Sequence, residues 1–359
     1  MLRSLQACRA IAAILVVFYH TNNGIFDPQH YFGPKPFGAI FDFGFAGVDF
    51  FFVLSGFLML HVHARDLNQP RAFGAYLWKR FSRIYPFYWV ILAAVVPIYL
   101  LMPHVGTRHE YEPDVILCSV FLYPHPHNYQ VLGVAWSLVY EVLFYLLFGL
   151  WILHTRLGIT VFLIWTGCLL VYPWFAGNES GFLFNSMHLR FLAGMGVALA
   201  LQRWQIPRPR LVATAGMAIF LCAGMFEAYA GPLSVSTRIV GFTLGSALTL
   251  MGLVEAERSG LLKTPNWLVY LGNASYSIYL VHYLALAVIA KTCKRLHVDQ
   301  HVPLAALFVL HVVGAVVAGC LCHHWIEHPL HVWSKRFFRR AIPAVAVAEV
   351  ASQNARKAA

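Results

Sequence analysis

The chain alternates between long apolar runs and short polar connections, and this pattern predicts membrane-spanning helices. About 20 apolar residues are enough to cross a bilayer as a helix, whose backbone polar groups are all hydrogen-bonded within the segment. We therefore predict an all-α, polytopic membrane protein with about ten transmembrane helices. The predicted spans are roughly 5–23, 44–62, 84–102, 135–153, 159–176, 188–202, 211–229, 238–256, 267–290 and 304–325.

One further apolar run, residues 115–123, does not fit the pattern of spans. It is too short to cross a bilayer, and Pro124 and Pro126 end it. We predict a re-entrant or interfacial segment here. A full crossing would reverse the orientation of every later connection.

Composition supports the membrane prediction and excludes two other classes of protein. Hydrophobic residues make up 59% of the 359 residues, charged residues make up 11%, and the mean hydropathy is +0.64. Water-soluble domains carry about 25% charged residues, and disordered chains have low hydrophobicity. The chain is therefore expected to be neither a soluble globular protein nor a disordered one.

The net charge of +11 is distributed unevenly over the predicted connections. With ten spans and the N-terminus inside, eighteen of the 26 Lys and Arg residues fall on the inner side and six, including Arg108, on the outer side. Cytoplasmic loops carry such an excess of basic residues. We predict a membrane domain over 1–340, a flexible cytoplasmic tail over 341–359, both termini cytoplasmic, and no nucleic-acid partner.

Two ionisable residues in the first span, Arg9 and His20, lie eleven positions apart. In a helix this spacing places them roughly 16 Å apart along the axis and roughly 20° apart around it, so they share a face. The pair suits a long ligand with an anionic head held by Arg9 and a reactive far end at His20, which has acid–base chemistry near neutral pH. The alternative is an arginine that extends to the headgroups and a histidine bonded to a neighbouring helix.

Two further arginines, Arg80 and Arg83, lie three positions apart before the third predicted span. They can clamp a phosphate on the same side of the membrane as Arg9. The alternative is that both are solvated residues of a basic inner connection.

Acidic residues inside spans are costly and need a partner. Glu141 follows Ser137 by four positions, so the two share a helix face, and its partner is either a proton carrier or an arginine in a structural ion pair. Asp49 begins the second predicted span. It can orient the ring of His20, as a carboxylate does in a catalytic triad, or simply cap the helix.

The ninth predicted span carries a polar stripe of Ser275, Tyr279 and His282 at helical spacing. Such a stripe is also typical of a hydrogen-bonded seam between membrane helices. The 18 histidines include short clusters, but these lie at membrane edges or in loops with few carboxylates nearby, so we predict no metal site.

These motifs together resemble the acyltransferase-3 family of integral membrane acyltransferases. The resemblance extends from residue 5 to residue 329. It is carried by Arg9 and His20 (R-x10-H), G-V-D-F-F-F-V-L-S-G-F at Gly47–Phe57, Arg80 and Arg83 (R-x-x-R) before Tyr85 and Pro86, W-S-L-x-x-E at Trp136–Glu141, S-Y-S-I-Y-L-V-H at Ser275–His282, and Glu327 and Pro329 (E-x-P).

The resemblance implies ten membrane helices and transfer of an acyl group, usually acetyl from acetyl-CoA, to a hydroxyl of an extracytoplasmic carbohydrate. The opening L-Q-x-x-R-A-I-A-A and the length are most similar to the branch that O-acetylates exopolysaccharides of the succinoglycan type. The expected location is a bacterial inner membrane. The expected partners are acetyl-CoA, a polysaccharide or lipid-linked oligosaccharide, and membrane lipid.

On this hypothesis the arginines hold the phosphates of acetyl-CoA, and His20 is the general base or the carrier of an acetyl group. Glu141 or Asp49 holds or relays charge. The same chemistry on lipid A, peptidoglycan or a small glycoside, and a proton-coupled glycan transporter, are the alternatives. The residues assigned to the substrate tunnel are Trp136, Ser137, Tyr140, Tyr145, Ser277 and His282.

Overall fold

The computed structural model describes residues 2–27, 30–102, 106, 109–176 and 181–341. Arg108 and all but the first residue of the predicted tail lie outside these ranges. Every regular element in them is helical. The helices are α1 Arg3–His20, α2 Gly47–His63, α3 Phe73–Leu101, α4 Pro113–Phe121, α5 Trp136–Leu153, α6 Thr155–Ala176, α7 His188–Arg203, α8 Pro209–Ala230, α9 Val235–Arg238, α10 Gly245–Arg258, α11 Asn266–Asn273, α12 Ser275–Arg295, α13 Leu304–Cys322 and α14 His328–Ala341.

Ten of the described helical segments are long and apolar enough to cross a membrane, which confirms the predicted fold class and number of spans. The chain is a multi-pass membrane protein. We name the two ends of the bundle after the ends of α1, the Arg3 end and the His20 end. Because α1 is continuous between them, Arg9 and His20 occupy one helix, as predicted.

The third span begins much earlier than its hydropathy predicts. The apolar run starts at residue 84, but α3 begins at Phe73. Arg80 and Arg83 are therefore part of the spanning helix and not of a connection before it. Long arginine side chains can cover apolar surface with their methylene groups, which allows the helix to continue through them.

The ninth predicted span consists of two helices. The short α11 ends at Asn273, and α12 begins at Ser275. Gly272 of α11 lies so close to α1 that a Cβ atom there would be 2.0 Å from the carbonyl oxygen of Gln6. This contact fixes the start of α12 against α1 and brings its polar stripe opposite the Arg9 and His20 face.

The short helix α4 corresponds to the apolar run that is too short to span a membrane. Its nine residues are about 14 Å long, far short of a bilayer. Its last carbonyl groups have no partners within the helix, and they accept hydrogen bonds from α3. The hydroxyl of Tyr85 donates to the Phe121 carbonyl oxygen (2.9 Å), and that of Tyr88 donates to the Ser119 carbonyl oxygen (2.8 Å). The indole N–H of Trp89 donates to the Val120 carbonyl oxygen (2.9 Å). The end of α4 thus reaches the middle of a spanning helix.

The closest crossing among the described helices joins α2 to α7. A Cβ atom on Gly56 would lie 1.9 Å from the carbonyl oxygen of Phe191, and one on Gly194 would lie 1.8 Å from that of Val53. Small residues allow such close backbone approach in membrane helices, where packing drives association. This crossing determines which helix the polar residues of α2 face.

The C-terminal helix α14 was not predicted. It follows a π-helical turn over His323–Glu327, and Pro329 lies in its first turn, where a missing N–H is tolerated. Its Ser334 carbonyl accepts a 3.4 Å hydrogen bond from the indole of Trp78 on α3, and Trp333 remains exposed. The sequence analysis missed this helix because it is amphipathic and has no long apolar run.

Candidate active site

A small cavity, which we call the arginine pocket, lies among α1, α2, α3, α5 and α12. Its volume is about 80 Å³. Arg9, Arg80 and Arg83 line it together with Glu141, so the structure brings together the three arginines that were selected from the sequence. Its other polar lining residues are Ser55, Ser137, Tyr145, Ser275, Tyr276 and Tyr279.

The three arginines are held to different degrees. Arg9 is buried, and its Nε donates a 3.1 Å hydrogen bond to Ser275 Oγ. Arg80 donates from Nη2 to His63 Nε2 at 2.6 Å, and its guanidinium lies 5.4 Å from the ring centre of Tyr145. Arg83 is half-buried, and within the described ranges it forms neither a hydrogen bond nor an ion pair. Much of the donor capacity of this cluster is thus left for a ligand.

Glu141 is the one acidic residue among the lining residues of the arginine pocket. Its Oε1 accepts a hydrogen bond from Ser55 Oγ at 3.0 Å and another from the hydroxyl of Tyr145. No arginine nitrogen of the described chain lies within ion-pair distance of it, so the predicted structural ion pair is not formed. Three cations therefore face one carboxylate inside an apolar bundle.

A second cavity of about 600 Å³ lies at the His20 end, and we call it the His20 cavity. His20, Asp49 and Trp136 line it. Val48 and Tyr279 line both this cavity and the arginine pocket, so they form the partition between the two. The hydroxyl of Tyr279 is held 2.9 Å from the Val134 carbonyl oxygen and 2.8 Å from Ser137 Oγ.

His20 is oriented by His282, which was assigned to the tunnel. His282 Nδ1 lies 2.5 Å from the Tyr279 carbonyl oxygen, and His20 Nδ1 lies 3.1 Å from that of Val16. Carbonyl oxygens only accept hydrogen bonds, so both Nδ1 atoms carry protons when the rings are neutral. His20 Nδ1 is also 3.1 Å from His282 Nε2, which then accepts. Within the described ranges His20 Nε2 has no hydrogen-bond partner, so its lone pair is free, as a general base requires.

Asp49 does not orient His20, and it does not cap α2. It forms a buried ion pair with Arg190 in the first part of α7. No side-chain capping hydrogen bond is present at the start of α2. The physical reason is the α2–α7 crossing at Gly56 and Gly194, which turns this face of α2 toward α7. The sequence did contain a signal for this pairing, because Arg190 is a basic residue within the predicted span 188–202 and could neutralise Asp49.

Three of the six predicted tunnel residues are packed away from both cavities, and one of them is the fully buried His282 described above. Ser277 is fully buried and donates a 2.6 Å hydrogen bond to Glu327 Oε2. Tyr140 packs between Phe182 and His188, with ring-centre distances of 4.7 and 5.0 Å. Neither residue lines the arginine pocket or the His20 cavity. Trp136, Ser137 and Tyr145 do line one of them.

The sequence analysis missed two contacts at this site, that of Ser55 with Glu141 and that of His63 with Arg80. It selected Tyr279 as part of a polar stripe but did not place it between two cavities. Ser55 was detectable as a lone hydroxyl in an apolar run, and His63 as a histidine at the end of a span. Among the described residues, no three His, Cys, Asp or Glu side chains cluster as a metal site would require.

Comparison with known proteins gives one family. The acyltransferase 3 family model, described as an acyltransferase domain, matches residues 2–325. The exopolysaccharide production protein ExoZ of Rhizobium meliloti is 29% identical over 309 residues, which cover 82% of this chain and 91% of that protein. The acyltransferase MdmB of Streptomyces mycarofaciens is 26% identical over 91% of each chain. The peptidoglycan O-acetyltransferase OatA of Listeria monocytogenes is 25% identical over 91% of this chain and 55% of its own length.

No solved structure matches the chain significantly. The family match covers nearly the whole length, and the described part of the chain has the ten candidate spans that the family resemblance implied. The chain belongs to the acyltransferase 3 family of membrane acyltransferases.

Proposed function

We propose that this protein transfers an acetyl group from acetyl-CoA to a hydroxyl of an extracytoplasmic polysaccharide or lipid-linked glycan. Two relatives, named as an exopolysaccharide production protein and a peptidoglycan O-acetyltransferase, support a glycan acceptor. A hydroxyl as the acceptor group agrees with the free lone pair of His20 Nε2, which can remove a hydroxyl proton.

The observation that carries this proposal is the unbalanced charge of the arginine pocket. Three arginines and one carboxylate line a cavity within an apolar bundle. Arg9 is buried and Arg80 and Arg83 are half-buried, so the site is suited to an anionic ligand that supplies the missing negative charge. Guanidinium groups match the geometry of phosphate oxygens, and coenzyme A carries phosphates.

The partition at Val48 and Tyr279 lies on the proposed path of the acyl donor. Arg9 and His20 share one face of α1 at an axial separation of roughly 16 Å. The pantetheine arm would extend along this face from the arginine pocket toward the His20 cavity. The thioester would then reach His20 while the phosphates remain at the Arg3 end.

His20 performs the proposed proton transfer. Its Nε2 takes the proton of the acceptor hydroxyl as the hydroxyl oxygen attacks the thioester carbonyl carbon. The C–S bond breaks, and the departing thiolate receives the proton from the imidazolium. The carbonyl oxygen of Val16 and His282 Nε2 hold the ring in place throughout. Glu141 balances part of the arginine charge.

In the alternative chemistry Nε2 itself takes the acetyl group, and radiolabel retained on the protein without acceptor would identify it.

Exchange of His282 tests the orientation of His20. We expect His282→Ala to lower kcat by about tenfold or more, because loss of the acceptor frees the His20 ring to adopt the wrong tautomer and position. We expect KM for acetyl-CoA to change little. His282→Gln keeps an acceptor and should retain more activity. Initial-rate kinetics measure both constants, and an unchanged kcat in His282→Ala would contradict this role.

The proposed orientation puts the Arg3 end and both termini in the cytoplasm of a bacterium, with the protein in the inner membrane. The excess of basic residues on that side supports it. The Arg3 end would then receive acetyl-CoA from the cytoplasm, and the His20 cavity would open to the periplasmic side.

The proposal is tested with purified protein in proteoliposomes. Radiolabelled acetyl-CoA is supplied on one side and a de-acetylated polysaccharide on the other. We expect label to appear as alkali-labile O-acetyl groups on the polysaccharide. Movement of a glycan across the membrane without acetyl transfer would instead favour the transporter alternative.

A further inference from the structure

We propose that His63 and Asp66 form a positioning pair that holds Arg80 in the arginine pocket and thereby sets the affinity for the acyl donor. This inference rests on the proposed function. It concerns His63, the last residue of α2, and Asp66 in the turn that follows, neither of which belongs to the motifs that carry the family resemblance.

The two residues and Arg80 form a continuous hydrogen-bonded chain. Arg80 Nη2 lies 2.6 Å from His63 Nε2, and His63 Nδ1 lies 2.7 Å from Asp66 Oδ2. A guanidinium only donates and a carboxylate only accepts. His63 must therefore be neutral, with its proton on Nδ1 and its lone pair on Nε2. Asp66 selects the tautomer that can accept from Arg80, as a second-layer carboxylate does for a metal-bound histidine.

The surroundings of Arg80 leave this contact as its main anchor. Its guanidinium lies over the rings of Tyr76 and Tyr145, at 5.9 and 5.4 Å from their centres. The hydroxyl of Tyr76 donates to the Tyr145 carbonyl oxygen at 2.6 Å, which links the two flanking helices. The two rings limit the space around the guanidinium, and the hydrogen bond to His63 fixes its direction.

Burial differs between the two members of the pair. The His63 side chain is fully buried, packed edge-on against the Tyr76 ring, whereas the Asp66 side chain is one-third exposed. Arg80 Nε is also buried, and it has no hydrogen-bond partner in the described part of the chain. An unpaired buried donor is costly, so Arg80 is oriented by His63 on one side and retains a donor for a ligand on the other.

The physical consequence is specific to donor binding. Without His63 Nε2, the guanidinium is free to turn away from this direction, and part of its contact with the donor phosphate is lost. Hydrogen bonds to charged groups are among the stronger ones in proteins, and their loss typically costs about tenfold or more in affinity. His20 lies at the opposite end of α1, so the chemical step should be almost unaffected.

The test compares four variants of the full-length protein in proteoliposomes. His63→Leu removes the acceptor, and we expect KM for acetyl-CoA to rise by about tenfold or more, with kcat within about threefold of the unchanged protein. His63→Gln keeps an acceptor near the position of Nε2 and should restore most of the affinity. Asp66→Ala removes only the partially exposed carboxylate and should raise KM in the same direction by a smaller factor.

The fourth variant is the matched control. His61 lies on the same turn of α2 but stacks on Phe57 and lines none of the cavities, so His61→Ala should leave KM unchanged. If His63→Leu does not fold, Asp66→Ala still tests the pair. An unchanged KM in both, or equal damage by His63→Gln and His63→Leu, overturns the inference while leaving the proposed function intact. If the unchanged protein does not use acetyl-CoA, both proposals fail.

Discussion

Replacement of His20 by alanine is expected to lower acetyl transfer by about 10²- to 10⁴-fold, which is the usual contribution of a general base. His20 Nε2 is the one ring nitrogen of the His20–His282 pair that is left with a free lone pair. Without it, no group in this position removes the hydroxyl proton. The rate is measured as O-acetyl groups formed per unit of purified, correctly inserted protein, with acetyl-CoA at a saturating concentration.

His30 provides the control for this variant, because it lines the same cavity and is exposed. Within the described ranges His30 forms no hydrogen bond with His20 or His282, so His30→Ala should retain nearly the full rate. Normal acetylation by a folded His20→Ala protein would contradict the proposed mechanism. A loss in both variants would indicate a general effect of changing the cavity wall.

The second large effect is expected from Arg83. We predict that Arg83→Gln raises KM for acetyl-CoA by roughly 10- to 100-fold, because each charge-assisted contact to a phosphate is worth about 1.5–3 kcal/mol. Arg83 has no hydrogen-bond or ion-pair partner within the described ranges, so its removal strands no buried protein group. The loss should therefore appear in donor affinity and much less in the melting temperature of the protein.

Arg71 is the matched control, since it is an exposed arginine near the same end of the bundle and does not line the arginine pocket. Arg71→Gln should change KM little. Arg83→Lys keeps the charge but loses the planar fork, so its KM should fall between those of the unchanged protein and Arg83→Gln. An unaltered KM in Arg83→Gln would remove the arginine pocket from the donor site.

Features that depend on one helix were predictable from the sequence. The shared face of Arg9 and His20 follows from helical geometry once α1 is continuous, and ten apolar runs predict ten spans. Features that depend on pairing between helices were not. Asp49 and Arg190 are distant in sequence, and only the close α2–α7 crossing decides that they meet. Hydropathy likewise predicts that the third span starts at residue 84, after Arg83. The helix α3 in fact begins at Phe73 and includes both Arg80 and Arg83.

The sequence also could not separate chemistry from packing within a stripe of polar residues. Ser275, Tyr279 and His282 share one face of α12, but their roles differ. Ser275 holds Arg9, Tyr279 divides the cavities, and His282 orients His20. The partner helices α1 and α5 determine these differences, and spacing along α12 contains no information about them.

The partition formed by Val48 and Tyr279 has a consequence for the energy balance of the cell. On the proposed function an acyl group passes through the membrane, and such a route risks conducting protons and ions. With the Tyr279 hydroxyl held by Val134 and Ser137, the two cavities meet at a side chain fixed on both sides. Such a constriction can admit the narrow, uncharged pantetheine arm of the proposed donor. Between turnovers it can still block the flow of protons and ions that would dissipate the transmembrane potential.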